Sequence, residues 1–310
     1  METTLAVVKV GPYRIIDRLG AGGAADVYRA RDTRVPLAPM VVVKQLNERA
    51  ANDPDFVERF LSEIDLCRGF DHPNVIRTLD VGNDHGRYFA VFELIDGSDL
   101  ESLITKVKQR QGKVPFELAL FIIDEALKGL AYAHEAKTAT GEVLGLVHRD
   151  VSPQNLFVAY DGHVLLGDFG VALLPGLDDR IATPLTMGKL GYLSPEQCFG
   201  EPVDRRTDLF AMTIVLAEVV SGQRLFAALP GEDNEAVMRR IGEGPRPNFR
   251  QWQPSLPAKF EHLLNKGLAH RPHERFQTCA EFRAALAPYL DTTLGNASAL
   301  ALFMHEAFER

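Results

Sequence analysis

The segment His148-Arg149-Asp150-Val151-Ser152-Pro153-Gln154-Asn155 sets a carboxylate and a carboxamide five positions apart, among residue types that favour a constrained loop. Asp150 can accept the proton of a hydroxyl group, and the side-chain carbonyl of Asn155 suits a hard cation such as Mg2+. Shortly after, the apolar run Val164-Leu165-Leu166 leads into Asp168-Phe169-Gly170. A carboxylate at a strand end can hold a second metal position, and the glycine lets the chain turn away. Near the start, Gly20-Ala21-Gly22-Gly23-Ala24-Ala25 lies between two β-rich pieces. Glycines there let backbone N–H groups approach phosphates, although the last glycine of a G-x-G-x-x-G spacing is replaced by Ala25. Lys44 follows Val41-Val42-Val43, and a lysine at the end of a buried strand must meet an anion or reach water. Glu63, on the next predicted helix, could pair with it. Taken singly, each feature has an ordinary alternative: a turn, an exposed strand end, a solvated helix face, a polar loop. Taken together and in this order, they describe a place for phosphates, a divalent cation and a hydroxyl nucleophile.

The elements that must carry these groups change character along the chain. Strands are predicted over 13–19 and 26–30, on either side of the glycines. A loop over 31–39 precedes the β-branched strand Met40–Leu46. Phe56, Phe60, Ile64 and Cys67 recur at helical spacing over 55–70, after Asn52-Asp53-Pro54 and before the break at His72-Pro73-Asn74. Strands over 75–81 and 88–94 are joined by a turn at 82–86. Beyond Gly97 helices dominate, over 99–109, 116–136 and most of 196–289, with short strands and loops over 146–172. A last amphipathic helix over 296–309 carries Leu300, Phe303, Met304, Ala307 and Phe308. It needs a surface to cover, either this chain's own core or a partner.

Composition narrows the reading further. The chain has 310 residues with 46% hydrophobic and 25% charged, enough for a substantial core. Its 34 Lys+Arg against 42 Asp+Glu give a net charge of −8, which disfavours a broad nucleic-acid surface. The three cysteines, Cys67, Cys198 and Cys279, are far apart and form no metal-binding spacing, as expected for a cytoplasmic protein. No leader peptide and no membrane span are expected.

The order of the Gly-rich hairpin, Lys44, Glu63, His148-Arg149-Asp150 with Asn155, Asp168-Phe169-Gly170 and Ser194-Pro195-Glu196 resembles the eukaryotic-like (Hanks-type) bacterial serine/threonine protein kinases over roughly 10–289. The HRDVSPQN and SPEQ segments are similar to those of the myxobacterial branch. The resemblance implies an α+β, bilobal kinase fold: a small β-rich lobe with one main helix (10–96), a larger helical lobe (97–289) and a tail (290–310). It implies ATP and Mg2+, or Mn2+ in its place, with ATP lying between the lobes. Leu19, Gly20, Gly22, Gly23, Val27, Val42, Lys44, Glu63, Glu93, Ile95, Asp99 and Leu156 would bind the nucleotide. Glu93 and Ile95 would act through their backbones, Phe92 would stand as gatekeeper, and Asp99 would reach the ribose. Asn155 and Asp168 would bind metal, Asp150 would be the base, Asp208 would hold the catalytic loop, and Glu196 would pair with Arg275. Protein Ser/Thr hydroxyls would be the acceptors. The alternative is an ATP-binding pseudokinase or scaffold.

Two positions depart from the family pattern. A lysine is usual where Ser152 stands, and a threonine where Lys189 stands. Lys189 is therefore expected to supply the positive charge that Ser152 lacks; its alternative is an ordinary lysine in a substrate-facing loop. Thr183 and Thr186 are candidate autophosphorylation sites near Arg149, and a homodimer phosphorylating itself in trans is compatible with this reading.

Overall fold

The protein is described by a computed structural model over residues 8–21, 23–137, 140–169, 189–244, 248–252 and 256–309, with the side chains of Arg59, Glu63, Arg250 and Trp252 outside the description. The chain divides into two units, Met1–His72 with Ile76–Ile95 and Pro73–Val75 with Asp96–Arg310.

In the first unit, alternation of large apolar residues builds an antiparallel sheet with two different faces. Its strands are β1 (Lys9–Val10), β2 (Tyr13–Ala21), β3 (Ala25–Asp32), β4 (Met40–Leu46), β5 (Thr78–Asp84) and β6 (Arg87–Glu93), in the order β1-β2-β3-β4-β6-β5. Val41 and Val43 bury one face with Val10, Tyr13, Ala30, Phe89 and Val91. Val42, Lys44 and Leu46 alternate onto the other. There Leu46 and Ala90 pack with Phe60 and Ile64 of helix α2 (Pro54–Cys67), behind the short helix α1 (Glu48–Ala51). Asp53 caps α2 by accepting from the Asp55 N–H, and Pro54 occupies the first turn, where its missing N–H costs nothing.

Two local expectations are corrected. The turn expected over 82–86 shrinks to His85-Gly86, with Asp84 paired to Arg87. Both turn residues have positive φ (50° and 84°), the geometry whose twist matches two-residue hairpins, so the strand runs on to Asp84. The strand expected over 75–81 starts only at Thr78. Val75 instead bridges in parallel to Leu166 of the second unit, and Asn74 O accepts from the Leu166 N–H at 2.9 Å.

The second unit is mainly helical: α3 (Leu100–Gln109), α4 (Phe116–His134), α5 (Pro195–Phe199), α6 (Arg205–Ser221), α7 (Asn234–Glu243), α8 (Phe249–Trp252), α9 (Ala258–Gly267), α10 (Cys279–Leu286) and α11 (Ala297–Phe308). A small sheet of β7 (Gly97–Asp99), β8 (Leu156–Ala159) and β9 (Val164–Leu166) lies in the order β7-β8-β9. Every residue of α6 from Thr207 to Ser221 is buried, so this helix has no solvent face and serves as the unit's axis. The terminal helix α11 buries Leu300, Met304 and Ala307 within this unit, and Tyr160 after β8 stacks near His305 and Phe308. No helix among the described residues is long and apolar enough to cross a membrane.

Candidate active site

A single carboxylate organises the centre of the second unit. Asn155 Nδ2 donates to Asp150 O at 2.7 Å and to Asp150 Oδ2 at 2.8 Å, and Lys189 Nζ pairs with the same Oδ2. Both acceptors on the Asp150 side require the amide nitrogen of Asn155 to face them, so its carbonyl oxygen is turned the other way. No hydrogen bond is made to Asp150 Oδ1 among the described residues. The Lys189 and Asp150 side chains are 25% and 18% exposed, so the pair lies largely out of bulk water yet remains reachable. Ser152 is fully buried, and its Oγ has no hydrogen-bond partner among the described residues.

The loop bearing Asp150 is bolted to α6. Asp208, in the first turn of α6, accepts from the backbone N–H groups of His148 and Arg149, each at 2.8 Å, and from His134 Nε2 at 2.7 Å. His148 Nε2 lies 3.2 Å from Gly167 O, and its Nδ1 accepts from the Asp150 N–H at 3.3 Å. This pairing makes His148 a neutral imidazole protonated at Nε2. Burial pulls its pKa below the ordinary value despite the nearby carboxylates of Asp208 and Asp150. The His148 ring also packs on Phe169, with centroids 4.5 Å apart. Arg149 and Asp168 both have positive φ, 64° and 54°. Such residues cost about 1–3 kcal/mol each and persist only when neighbours over-determine them. For Arg149 the neighbours are identifiable: Asp208 takes its N–H, and Gln197 Nε2 donates to its carbonyl at 3.2 Å.

Gln197 belongs to a capping box with Ser194, so the segment after Lys189 is tied both to its own helix and to the loop of Asp150. Below it, Arg275 makes a two-pronged bond to Glu196, 2.7 Å on each arm, with both side chains buried. Thr207 Oγ1 donates to Glu196 Oε1 at 2.7 Å. Burial alone would push the Glu196 carboxyl up; the Arg275 bonds and charge, with Thr207, outweigh it and hold the pKa below the usual value.

The expected nucleotide residues of the first unit share one sheet face. Val27 is directly opposite Lys44, Lys44 opposite Ala90, and Val42 opposite Phe92, so these side chains project together on the side that α2 covers. Glu63 lies in α2 between the packed residues Phe60 and Ile64; its side chain lies outside the described residues. Gly20 is paired to Val27, and Leu19 is half exposed. A Cβ added at Gly20 or Gly23 would meet nothing within 4 Å. The protein's own packing therefore does not demand glycine there, and close approach of a ligand gives a reason for it. Ala25 is buried opposite Leu46. The Glu93 N–H donates to Arg77 O at 3.2 Å, so an adenine contact by Glu93 would fall to its carbonyl. Ile95 closes this unit.

In the second unit, Leu156 is buried on β8 opposite Leu166. Asp99 caps α3, accepting from Ser102 N at 2.8 Å and Ser102 Oγ at 2.7 Å, a role beyond the expected ribose contact. Gly22, Gly170, Thr183 and Thr186 lie outside the described residues. Among the described residues there is no cluster of three or more His, Cys, Asp or Glu able to hold a metal. The donors expected for a hard cation are the Asn155 side-chain carbonyl, on a buried residue and turned away from Asp150, and the carboxylate of the exposed residue Asp168, both oxygen ligands. His134 escaped the sequence reading, since a histidine ending an apolar helix reads as core; Gln197 escaped it too, although the capping-box spacing Ser194-x-x-Gln197 is a signal that could have found it.

Comparison with known proteins identifies the family. A family model described as the protein kinase domain matches residues 13–286. The chain is 32% identical to the tyrosine-protein kinase MasK of Myxococcus xanthus, over 97% of this chain and 48% of that protein. It is 30% identical to the serine/threonine-protein kinase PrkC of Bacillus subtilis, over 91% of this chain and 41% of that protein. It thus spans about half or less of these curated relatives. Among solved structures, the PknI kinase domain of M. tuberculosis aligns with a TM-score of 0.70 at 25% identity, covering 92% of this chain and 98% of that domain.

Proposed function

The chain belongs to the protein kinase domain family, and from that premise we propose that it is a serine/threonine protein kinase transferring the γ-phosphate of ATP to protein hydroxyls. The observation that carries the reading is the Asp150 carboxylate, with Oδ2 engaged by Asn155 and Lys189 and Oδ1 left to receive a hydroxyl proton. Asp208 and His148 fix the loop, so Asp150 can orient the acceptor oxygen for in-line attack without reorganising. Lys44 would position the nucleotide phosphates, with Glu63 as its expected ion-pair partner. Val27, Val42 and Leu156 would flank the adenine, with Leu19, Gly20, Gly22 and Gly23 above the phosphates, Glu93 and Ile95 at the adenine edge and Asp99 at the ribose. Asn155 and Asp168 would hold Mg2+, with Mn2+ as a substitute, and the bound cation neutralises charge on the phosphates. Lys189 adds a positive charge beside the base, where negative charge develops on the transferring phosphoryl.

Autophosphorylation at Thr183 or Thr186, in cis or within a homodimer, and a cytoplasmic setting complete the proposal. The acidic net charge supports protein rather than nucleic-acid partners. The MasK likeness favours one competing acceptor, tyrosine. The test is transfer of label from γ-labelled ATP with Mg2+, to the protein itself and to a generic basic protein, followed by phosphoamino-acid analysis. Phosphoserine or phosphothreonine that disappears in Asp150→Asn is expected. Phosphotyrosine would replace the acceptor class, and ATP binding without any transfer would favour the scaffold.

A further inference from the structure

Beside the catalytic loop, the second unit holds a cavity of about 450 Å³ whose walls include Glu101, Ile104, Pro153, Tyr192, Glu218 and Arg224. Pro153 belongs to the loop of Asp150, and Tyr192 to the segment that begins at Lys189. The cavity therefore borders both the loop of Asp150 and the segment that begins at Lys189, the two stretches that meet at Asp150. Its two carboxylates are already engaged. Glu101 takes Arg224 Nη2 on Oε1 and Gln154 Nε2 on Oε2. Glu218 accepts from Tyr192 OH at 2.6 Å and from the Leu225 N–H at 2.8 Å. The Arg224 guanidinium lies 5.2 Å from the centroid of the Tyr192 ring, over its face. Burial pushes the Glu218 carboxyl above its usual value, with the Tyr192 and Leu225 bonds and the Arg224 charge opposing.

We propose that this cavity is a substrate side-chain subsite and that Arg224 is its specificity-determining residue, an internal guanidinium that closes the subsite to basic side chains. The inference rests on the protein kinase reading above. An arginine or lysine from a bound peptide would have to compete with Arg224 for Glu101 and would bring a second positive charge against the same ring. A neutral side chain displaces nothing and is accepted. Removing the cation leaves Glu101 facing the cavity with Gln154 alone, and the local charge falls by one unit. A basic side chain then finds the partner that Arg224 had occupied.

The experiment measures kcat/KM for a positional-scanning library of peptides with a central Ser/Thr, carrying Arg, Lys, Ala or Glu at each flanking position. Wild type, Arg224→Gln, Arg224→Lys and Arg224→Gln/Glu101→Gln are compared. At one flanking position Arg224→Gln is expected to raise the Arg-to-Ala ratio about tenfold, the scale of a partly exposed charge pair. Arg224→Lys should stay near wild type, and the double variant should lose the gained preference. The readout is a ratio on one preparation, so any loss of folded protein cancels. Identical profiles for wild type and Arg224→Gln, or a wild type that already selects basic residues at that position, would overturn this inference alone. No transfer to any peptide and no autophosphorylation would overturn the kinase reading, and the inference with it.

Discussion

Replacing Lys189 with alanine removes the only cation that the described residues bring to Asp150. The Lys189–Asp150 pair is 25% and 18% exposed, so the ammonium acts in a partly enclosed site rather than in bulk water. Removing one preorganised group that stabilises developing charge costs about 10²–10³ in kcat. The residual exposure places the expectation at the lower end, about 10²-fold, which is ~2.7 kcal/mol of transition-state stabilisation. Lys189 pairs with Asp150 rather than with a residue expected to bind the nucleotide, so the KM for ATP should stay within about twofold, the pattern of a group acting in the transition state. Lys189→Arg keeps the charge and should keep most of the turnover. Ser152→Ala is the matched control: its buried hydroxyl has no partner among the described residues, so deleting it removes no contact and should leave kcat within about twofold. The assay is steady-state transfer from γ-labelled ATP to one fixed protein substrate, with circular dichroism to confirm folding. Turnover by Lys189→Ala within about threefold of wild type, or a raised KM at unchanged kcat, would refute a charge acting on the transferring phosphoryl.

Three further predictions concern the scaffold. Arg275→Ala leaves Glu196 buried without its partner and should cost about 3–5 kcal/mol, read as a lowered denaturation midpoint in urea. The same pair sets a pH dependence. Because the folded-state pKa of Glu196 is held below the ordinary 4.5, the unfolded chain binds the proton more readily, and stability falls as pH drops below that value through the folded pKa. Acid titrations of wild type and Glu196→Gln should differ in slope in that window and coincide in slope near neutrality; equal slopes throughout would remove Glu196 from the acid sensitivity. Gly162→Ala would place a Cβ 1.9 Å from Ala297 O at a φ of +88°, so the terminal helix must shift. A loss of about 1–3 kcal/mol and faster protease cleavage around 291–309 are expected, and unchanged values of both would show that α11 adds little to the unit.

Legibility in the sequence followed the strength of local signals. Met40–Leu46 was readable because three consecutive β-branched valines favour a strand, and α2 because Phe56, Phe60, Ile64 and Cys67 repeat at helical spacing. The hairpin at His85-Gly86 was misread because Gly82, Asn83 and Asp84 are turn formers by type, whereas pairing to Phe89, Tyr88 and Arg87 keeps them in the strand. Val75 was assigned to a first-unit strand, and Asn74 to the break before it, because nothing local reveals that their partners, Leu166 and Val164, lie far along the chain. The fold class followed from motif order, which the family match bears out. At the candidate site the residue types of Asp150, Asn155 and Asp168 were informative, but their distances were not. That Asn155 and Lys189 meet on one oxygen of Asp150, and that Arg224 reaches Glu101, are long-range facts with no periodicity to announce them.

The exchange of residue types at positions 152 and 189 acquires a physical sense from this arrangement. A lysine at position 152 would bring its charge to the base from within the base's own loop, which Asp208 already holds rigid. Here position 152 is buried and carries only a hydroxyl, while the cation arrives from Lys189, on a separate stretch of chain. That stretch touches the loop again through Gln197 and the carbonyl of Arg149, the residue held at a φ of +64°. Two contacts, one ionic and one neutral, therefore join the same two segments. Moving the segment that begins at Lys189 would remove the cation from Asp150 and release the strained carbonyl together, whereas a lysine inside the loop would be indifferent to that movement. If Lys189 serves the base as proposed, the exchange places that charge on a stretch of chain separate from the loop of Asp150, and any displacement of the stretch that breaks the Lys189–Asp150 contact should lower turnover with it.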